Sequence, residues 1–212
     1  MRRRKVKGAD EKLLSYDKQV IKNPVDFKGK WSQKFNNDNP IYIEVGTGRG
    51  KFLTTLAKEN PDINFIAMEI KEEVLLKAVQ KADEGELNNI LFIWGNVNNI
   101  LEYFEDKEIS RLFINFCDPW PKKRWAKRRL THSNFLDMYN KILTDDGEIH
   151  FKTDNEKLFE FSLNQISEYG LKLQNVSLDL ANSEFEGNVT TEYEDKFMNL
   201  GMKIYRCEGK KR

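Results

Sequence analysis

A glycine cluster directly after a compact apolar run is the feature that most restricts what this chain can fold into. The run Ile41–Val45 reads Ile-Tyr-Ile-Glu-Val, and Gly46, Gly48 and Gly50 follow it at alternate positions. An apolar run that stops at glycines is typical of a buried strand that leads into a tight turn. Residues 51–58 then have helical spacing. The pattern predicts a strand, a loop and a helix, which is the opening unit of an α/β fold.

Strand and helix alternate in the same way along the rest of the chain. Such alternation with short links is typical of a mostly parallel sheet with helices on both faces. We separate a basic N-terminal arm and helix, residues 1–40, from a single domain, residues 41–212. The predicted strands cover residues 41–45, 63–70, 90–94, 109–116, 148–152, 172–179 and 202–208. The predicted helices cover residues 10–22, 51–58, 72–83, 97–104, 134–143 and 156–169.

The composition is that of a folded globular chain. Its 212 residues suffice for one domain with a sizeable core, and 39% hydrophobic beside 33% charged residues fit that class. No run approaches bilayer length, and the basic start is followed by polar residues 8–12, so we expect neither a membrane partner nor secretion. Cys117 and Cys207 are too few for a disulfide framework and lack zinc-ligand spacing. We therefore predict a cytoplasmic protein without a metal site or an obligate protein partner, either monomer or homodimer.

Positive charge is concentrated in two places, although the formal net charge is only +1. Residues 122–129 read Lys-Lys-Arg-Trp-Ala-Lys-Arg-Arg and contain no acid, and residues 2–5 form a second basic cluster. Acidic residues gather between Glu184 and Asp195. A molecule polarised in this way can steer a charged partner such as RNA. A solvated surface could carry the same basic run.

The glycine loop distinguishes three kinds of cofactor. A P-loop needs Gly-Lys followed by Ser or Thr, and here Phe52 stands at that position. A dinucleotide loop has its third glycine one residue later than Gly50. The Glu44 carboxylate beside the loop would repel a pyrophosphate but attract the sulfonium and ammonium groups of S-adenosylmethionine. The pattern Glu-x-Gly-x-Gly-x-Gly therefore favours S-adenosylmethionine, with Glu44, Gly46 and Gly48 as contacts, over a turn that binds nothing.

Two polar residues at the ends of later strands fit an adenosyl group. Glu69 closes the second strand of the predicted domain, where a carboxylate can accept both ribose hydroxyls. Asn96 closes the third, and its side-chain amide can pair with the adenine edge. Each signal is weak alone, because acids often end strands and asparagine is common in turns. Their positions relative to Glu44 strengthen the prediction of a cofactor site.

The most specific motif follows the strand predicted at residues 109–116. It reads Asp-Pro-Trp-Pro-Lys from Asp118 to Lys122 and continues into the basic run. It resembles the signature of the bacterial single-chain tRNA (guanine-N7)-methyltransferases, which are class I S-adenosylmethionine-dependent enzymes. The glycine loop, Glu69, residues 153–154 and residues 191–194 stand where that family has its other motifs, so the resemblance spans residues 40–208. It implies a Rossmann-like fold with a mostly parallel seven-stranded sheet and an antiparallel last strand.

The resemblance also implies a reaction and a set of site residues. The reaction is transfer of a methyl group from S-adenosylmethionine to N7 of a guanine in the variable loop of tRNA. Asp118 is the implied catalytic residue and also a cofactor contact. The implied substrate contacts are Lys122, Asp154, Thr191, Glu192, Tyr193 and Glu194. The residues predicted to bind tRNA are Arg124, Trp125, Lys127, Arg128 and Arg129.

The chemistry of guanine agrees with this role for Asp118. N7 has an in-plane lone pair and no proton to lose, so its methylation needs no general base and depends on orientation. A carboxylate can accept hydrogen bonds from the N1–H and amino edge of guanine, and it can offset the positive charge that develops on the ring. Pro119 and Pro121 would stiffen the loop that carries it. The simpler interpretation is that Asp118 opens a turn before proline.

Two other functions stay open at this stage. Asp-Pro-Trp-Pro distantly resembles the Asp-Pro-Pro-Tyr motif of amino-group methyltransferases that act on DNA or RNA, but such an enzyme would not require the basic run. The other is a non-enzymatic RNA-binding module on a methyltransferase fold. The intact glycine loop argues against that module.

Overall fold

An eight-stranded sheet forms the centre of the computed structural model, which describes residues 8–211. In chain order its strands are β1 (Val20–Ile21), β2 (Ile41–Val45), β3 (Asn64–Glu69), β4 (Ile90–Trp94), β5 (Ile109–Asn115), β6 (Leu143–Thr153), β7 (Lys172–Ser177) and β8 (Tyr205–Lys210). They lie in the order β1-β4-β3-β2-β5-β6-β8-β7, and β8 runs antiparallel to both of its neighbours while the other pairs are parallel. The predicted mostly parallel sheet with an antiparallel last strand is confirmed, and β1 joins it as an additional strand.

Helices pack against both faces of this sheet, as predicted. In chain order they are α1 (Ala9–Leu14), α2 (Trp31–Phe35), α3 (Lys51–Glu59), α4 (Glu72–Glu84), α5 (Ile100–Tyr103), α6 (Ser133–Ile142), α7 (Glu156–Glu168) and α8 (Glu192–Met198). Successive side chains of β3 enter opposite halves of the core, because side chains alternate along a strand. Phe65 packs in the cluster that contains Leu53 of α3 and Ala78 of α4. Ile66 packs in the cluster that contains Tyr139 of α6. None of the helices within residues 8–211 combines the length and apolar character needed to cross a membrane.

The helix predicted over residues 10–22 is wrong in its second half. α1 ends at Leu14, and β1 pairs in parallel with β4 through Val20 opposite Phe92 and Ile21 opposite Ile93. The β-branched side chains of Val20 and Ile21 suit a strand, and the edge of β4 offers backbone partners that override the local helical pattern. The basic cluster at residues 2–5 lies outside the described residues.

The described part of the predicted arm contributes a buried tryptophan to the core of the domain. Trp31 of α2 is fully buried, and its indole N–H donates to the Tyr103 carbonyl at 2.9 Å. Its ring lies 5.4 Å from that of Phe104. Trp31 thus packs the segment that precedes β2 against the end of α5.

The strand order creates a switch point between β2 and β5. From β2 the chain extends the sheet through β3 and β4 on one side, and through β5 and β6 on the other. Connections diverge at such a point and leave a crevice at the carboxyl ends of the strands, where ligands bind in open α/β sheets. The glycine loop leaves β2 there, and the Asp118 segment follows β5.

Candidate active site

Two adjoining clefts open at the carboxyl ends of the central strands. The larger has a volume of about 550 Å³ and the smaller about 370 Å³. Gly46, Asn115 and Phe116 line both clefts, so they form a boundary between two parts of one site. The structure brings together at these clefts the predicted site residues Glu44, Gly46, Gly48, Glu69, Asn96, Asp118, Thr191, Glu192 and Tyr193.

Glu44 is a buried carboxylate at the wall of the larger cleft. It is 1% exposed, and its two oxygens accept hydrogen bonds from Thr47 Oγ1 at 2.6 Å and Asn115 Nδ2 at 2.8 Å. Burial raises the pKa of Glu44 to about 7, and the two hydrogen bonds oppose that rise. The sequence analysis missed Thr47 and Asn115. The signal for Asn115 was a polar residue that directly follows the apolar residues 112–114 at the end of β5.

The glycine loop presents bare backbone to the clefts. Gly46 and Gly48 have φ angles of 80° and 60°, and a Cβ at either position would meet nothing within 4 Å. Gly50 serves a different purpose, because a Cβ there would lie 2.5 Å from the Cβ of Ala78 on α4. The first two glycines thus open the site to a ligand, and the third permits α3 to pack against α4. An open backbone beside the buried Glu44 carboxylate fits a cationic nucleoside such as S-adenosylmethionine.

Glu69 and Asn96 face the smaller cleft, and each also supports the local backbone. Glu69 Oε1 accepts from the N–H groups of Ile70 and Lys71, and its Oε2 accepts from Gly48 N at 3.2 Å. Asn96 Oδ1 accepts from Asn98 N at 3.0 Å, which leaves the side-chain NH₂ group for another acceptor. Glu69 therefore joins the end of β3 to the glycine loop. Their contacts with ribose and adenine stay predictions.

The Asp118 loop is strained on both sides of the carboxylate. Phe116 has φ 52° and Trp120 has φ 42°, and such left-handed angles cost a residue with a side chain about 1–2 kcal/mol. Asp118 is exposed, and among residues 8–211 its carboxylate has no hydrogen-bond or ion-pair partner. The Phe116 ring lies 5.0 Å from that of Tyr193, and both residues line the larger cleft. The arrangement leaves the Asp118 carboxylate available to a ligand.

The segment 191–194 is divided between the cleft and the protein interior. Glu194 is fully buried, where its carboxylate accepts from Lys152 Nζ at 2.6 Å, and it forms a capping box with Thr191 at the start of α8. Glu192 lines the cleft but accepts from Lys81 Nζ at 2.5 Å. Tyr193 is 44% exposed, and its hydroxyl lies 3.5 Å from the Asp154 carboxylate. Thr191, Glu192 and Tyr193 line the larger cleft, and Glu194 does not.

The basic segment forms a 3₁₀ helix, Lys123–Arg128, which contains Trp125 and contacts Trp120. The rings of Trp120 and Trp125 meet edge to face at 5.8 Å. The Arg128 guanidinium lies 4.8 Å from the Trp120 ring. Lys122 and Arg124 lie over Trp125 at 4.9 and 5.3 Å, so Lys122 contacts this ring and does not line either cleft.

Lys127 is exposed, whereas Arg129 is half-buried and donates to backbone carbonyls of the Asp118 loop.

Three solved structures with a similar fold are methyltransferases. An antibiotic-related methyltransferase superposes with a TM-score of 0.65 at 16% identity, covering 91% of this chain and 96% of that one. The 16S rRNA methyltransferase KamB gives a TM-score of 0.65 at 16% identity, with coverages of 86% and 92%. A SAM-dependent methyltransferase from Aquifex aeolicus gives 0.57 at 13% identity, with coverages of 93% and 97%. At such low identity the likeness concerns the fold alone.

Sequence relatives are more specific. A family model described as "Putative methyltransferase" matches residues 38–207. A tRNA (guanine-N(7)-)-methyltransferase of Clostridioides difficile (strain 630) is 73% identical over the whole length of both chains. One from Geobacillus sp. (strain WCH70) is 53% identical over 99% of this chain and 96% of that protein. The resemblance seen in the motifs is confirmed: the chain belongs to the tRNA (guanine-N7)-methyltransferase family.

Proposed function

We propose that the protein transfers a methyl group from S-adenosylmethionine to N7 of a guanine in tRNA, at a position in the variable loop. Family membership supports the reaction class. The observation in the site that carries the proposal is the pair of carboxylates Glu44 and Asp118, which lie in adjoining clefts and differ in environment. Glu44 is buried and hydrogen-bonded, whereas Asp118 is exposed and has no hydrogen-bond or ion-pair partner within residues 8–211.

Glu44, Glu69 and Asn96 would hold the cofactor. An ionised Glu44 attracts the ammonium and sulfonium end of S-adenosylmethionine, because opposite charges interact strongly where water is excluded. The Glu69 carboxylate accepts hydrogen bonds from the ribose hydroxyls, and the side-chain NH₂ group of Asn96 donates a hydrogen bond to the adenine edge. The cofactor supplies a methyl group on a positively charged sulfur. Because Glu69 also accepts from Gly48 N, the same carboxylate that binds the ribose keeps the glycine loop in place.

Asp118 would orient the acceptor guanine. Its carboxylate accepts hydrogen bonds from the N1–H and the amino group, which directs N7 on the opposite side of the base toward the methyl group. Its negative charge also offsets the positive charge that develops on the ring. No group needs to remove a proton, since N7 carries none. Phe116 and Tyr193 supply aromatic surfaces at the larger cleft on which a base can stack.

The remaining predicted substrate contacts would act in two ways. Lys122, Asp154, Thr191 and Glu192 are proposed to contact tRNA or the guanine nucleotide directly. Glu194 acts indirectly, because its ion pair with Lys152 holds the start of α8.

Exposed cations of the basic segment would bind phosphates on the tRNA backbone. Arg124, Lys127 and Arg128 neutralise phosphates, and Trp125 stacks on a nucleotide. We further propose that the protein works in the cytoplasm, where its two free cysteines, Cys117 and Cys207, stay reduced, and that it is a monomer or a homodimer.

A product analysis tests the proposed function. Purified protein is incubated with labelled S-adenosylmethionine and unmodified tRNA, and the tRNA is digested to nucleosides. We expect 7-methylguanosine that maps to the variable loop. A matched tRNA with adenosine in place of the target guanosine should accept no label. Label on an exocyclic amino group would support an amino-group methyltransferase, and tRNA binding without any transfer would support a non-enzymatic module.

A further inference from the structure

Arg129 makes different contacts from the other cations of the basic segment. Its Nε lies 3.2 Å from the Pro119 carbonyl oxygen, and its Nη2 donates to the Trp120 carbonyl at 3.1 Å. The guanidinium also lies 4.3 Å from the centre of the Phe161 ring on α7. Arg128, the adjacent residue, is exposed. Arg129 therefore joins the Asp118 loop to α7.

The turn that Arg129 contacts is one that the chain would not adopt without support. Phe116 and Trp120 both have left-handed φ angles, and they flank Asp118 on its two sides. Bulky residues hold such angles only where the surrounding structure imposes them. At the start of the loop, Phe116 N donates to the Lys152 carbonyl at 2.9 Å. At its end the side-chain donors come from Arg129.

We propose that Arg129 is a positioning residue, which sets the direction of the Asp118 carboxylate by holding the Pro119 and Trp120 carbonyl groups, and that it is not a phosphate contact. A guanidinium suits this task, because its planar set of donors can reach two neighbouring carbonyls at once. The contact with the Phe161 ring fixes the plane of those donors. Arg129 thus differs in its role from Arg124, Lys127 and Arg128, with which it was predicted to bind tRNA.

The consequence for catalysis rests on the proposed function. If Asp118 orients guanine, the carboxylate must be held so that N7 points at the methyl group. A misplacement of about 1 Å can cost on the order of a hundredfold in rate. Loss of Arg129 should therefore lower turnover with bound tRNA, whereas loss of a phosphate contact should weaken tRNA binding.

The test compares Arg129→Ala and Arg129→Lys with the control Lys127→Ala, which removes an exposed cation of the same basic segment. For each variant we would measure turnover at saturating tRNA, the salt dependence of tRNA binding, and hydrogen exchange of residues 116–122 without ligands. For Arg129→Ala we expect turnover to fall on the order of tenfold to a hundredfold, faster exchange in the loop, and an unchanged salt slope. Arg129→Lys keeps the positive charge, but its ammonium group cannot donate to two carbonyls in one plane. Its turnover should therefore lie between those of Arg129→Ala and wild type. Lys127→Ala should lower the salt slope by about one unit and leave exchange as in the wild type, because the side chain of the exposed Lys127 makes no hydrogen bond or ring contact with residues 116–122.

Two results would overturn the proposal. One is wild-type turnover in Arg129→Ala, or in Arg129→Lys if the alanine variant does not fold. The other is a salt slope that falls by about one unit in Arg129→Ala, as a phosphate contact requires. Hydrogen exchange needs neither cofactor nor tRNA. Faster exchange in the variant, beside a wild-type protein that methylates no tRNA, would support the hold of Arg129 on the loop and contradict the proposed function.

Discussion

Lys152 Nζ lies 2.6 Å from Glu194 Oε2, and both side chains are buried, so this ion pair joins the central strand β6 to the first turn of α8. Lys152 also donates to the Val189 carbonyl at 2.9 Å, and Glu194 completes the capping box with Thr191. Tyr193, which lies between Thr191 and Glu194, faces the larger cleft. A pair that does not line the site thus positions one wall of it.

Breaking this pair should destabilise the protein strongly. Lys152→Met leaves the Glu194 carboxylate buried without its cation, and we expect the free energy of unfolding to fall by about 3–5 kcal/mol. Urea denaturation measures it. The double variant Lys152→Met, Glu194→Gln removes the uncompensated charge, so it should be more stable than Lys152→Met alone. If the two single losses simply add in the double variant, the side chains are not coupled.

Glu44 should make the stability of the ligand-free protein depend on pH. Its pKa is about 7 in the folded protein, against an ordinary value of 4.5. The folded state therefore holds this proton more tightly, and the stabilisation is complete below pH 4.5 and is lost as pH rises to about 7. Glu44→Gln cannot lose a proton there. Thermal unfolding across this range should show wild type losing stability relative to Glu44→Gln, and parallel curves would contradict the prediction.

The same ionisation should control cofactor affinity. Only the charged carboxylate attracts the cationic end of S-adenosylmethionine, so wild-type affinity should rise as pH increases through about 7. Glu44→Gln should bind more weakly and without this pH dependence. Calorimetry on either side of pH 7 checks both statements, and an equal affinity of wild type and variant would remove Glu44 from the cofactor site.

Asp118→Asn should separate catalysis from cofactor binding. The substitution keeps the shape of the side chain but removes its charge and one acceptor, and we expect turnover to fall on the order of a hundredfold. The unfolding free energy should stay within about 0.5 kcal/mol, because Asp118 is exposed. Single-turnover rates and calorimetric cofactor affinity are the measurements. An equal loss in both would place Asp118 in the cofactor site and away from guanine.

Arg124 and Arg128 should contribute to tRNA binding through their positive charge. The double variant Arg124→Ala, Arg128→Ala should lower the salt slope of tRNA binding by about two units and raise KM for tRNA. The methylated nucleotide should not change, because phosphate contacts position RNA without reading its sequence. Lys58→Ala, Lys141→Ala is the matched control, since it removes two exposed charges at the carboxyl ends of α3 and α6. If wild type and the two double variants gave identical salt titrations, the basic segment would be a solvated surface that does not bind tRNA.

Local patterns in the sequence determined the architecture and the family. The strands predicted at residues 41–45 and 90–94 coincide with β2 and β4, because strands buried on both faces need continuous apolar runs. Gly46 and Gly48 have left-handed φ angles that favour glycine, so their spacing identified the loop. The Asp118 motif identified the family without any tertiary information. Helices as short as α2 and α8 carry too few residues for periodicity to predict them.

Only the tertiary structure decided which role each of several chemically similar residues has. Arg128 and Arg129 are adjacent and chemically identical, yet Arg129 alone reaches the carbonyls of the Asp118 loop. Glu194 stands within a predicted substrate motif, yet it is buried and forms an ion pair with Lys152, which lies 42 positions away in the chain. These assignments depend on which groups come within hydrogen-bond distance after the sheet has assembled. Local spacing carries no information about which of these groups come into contact.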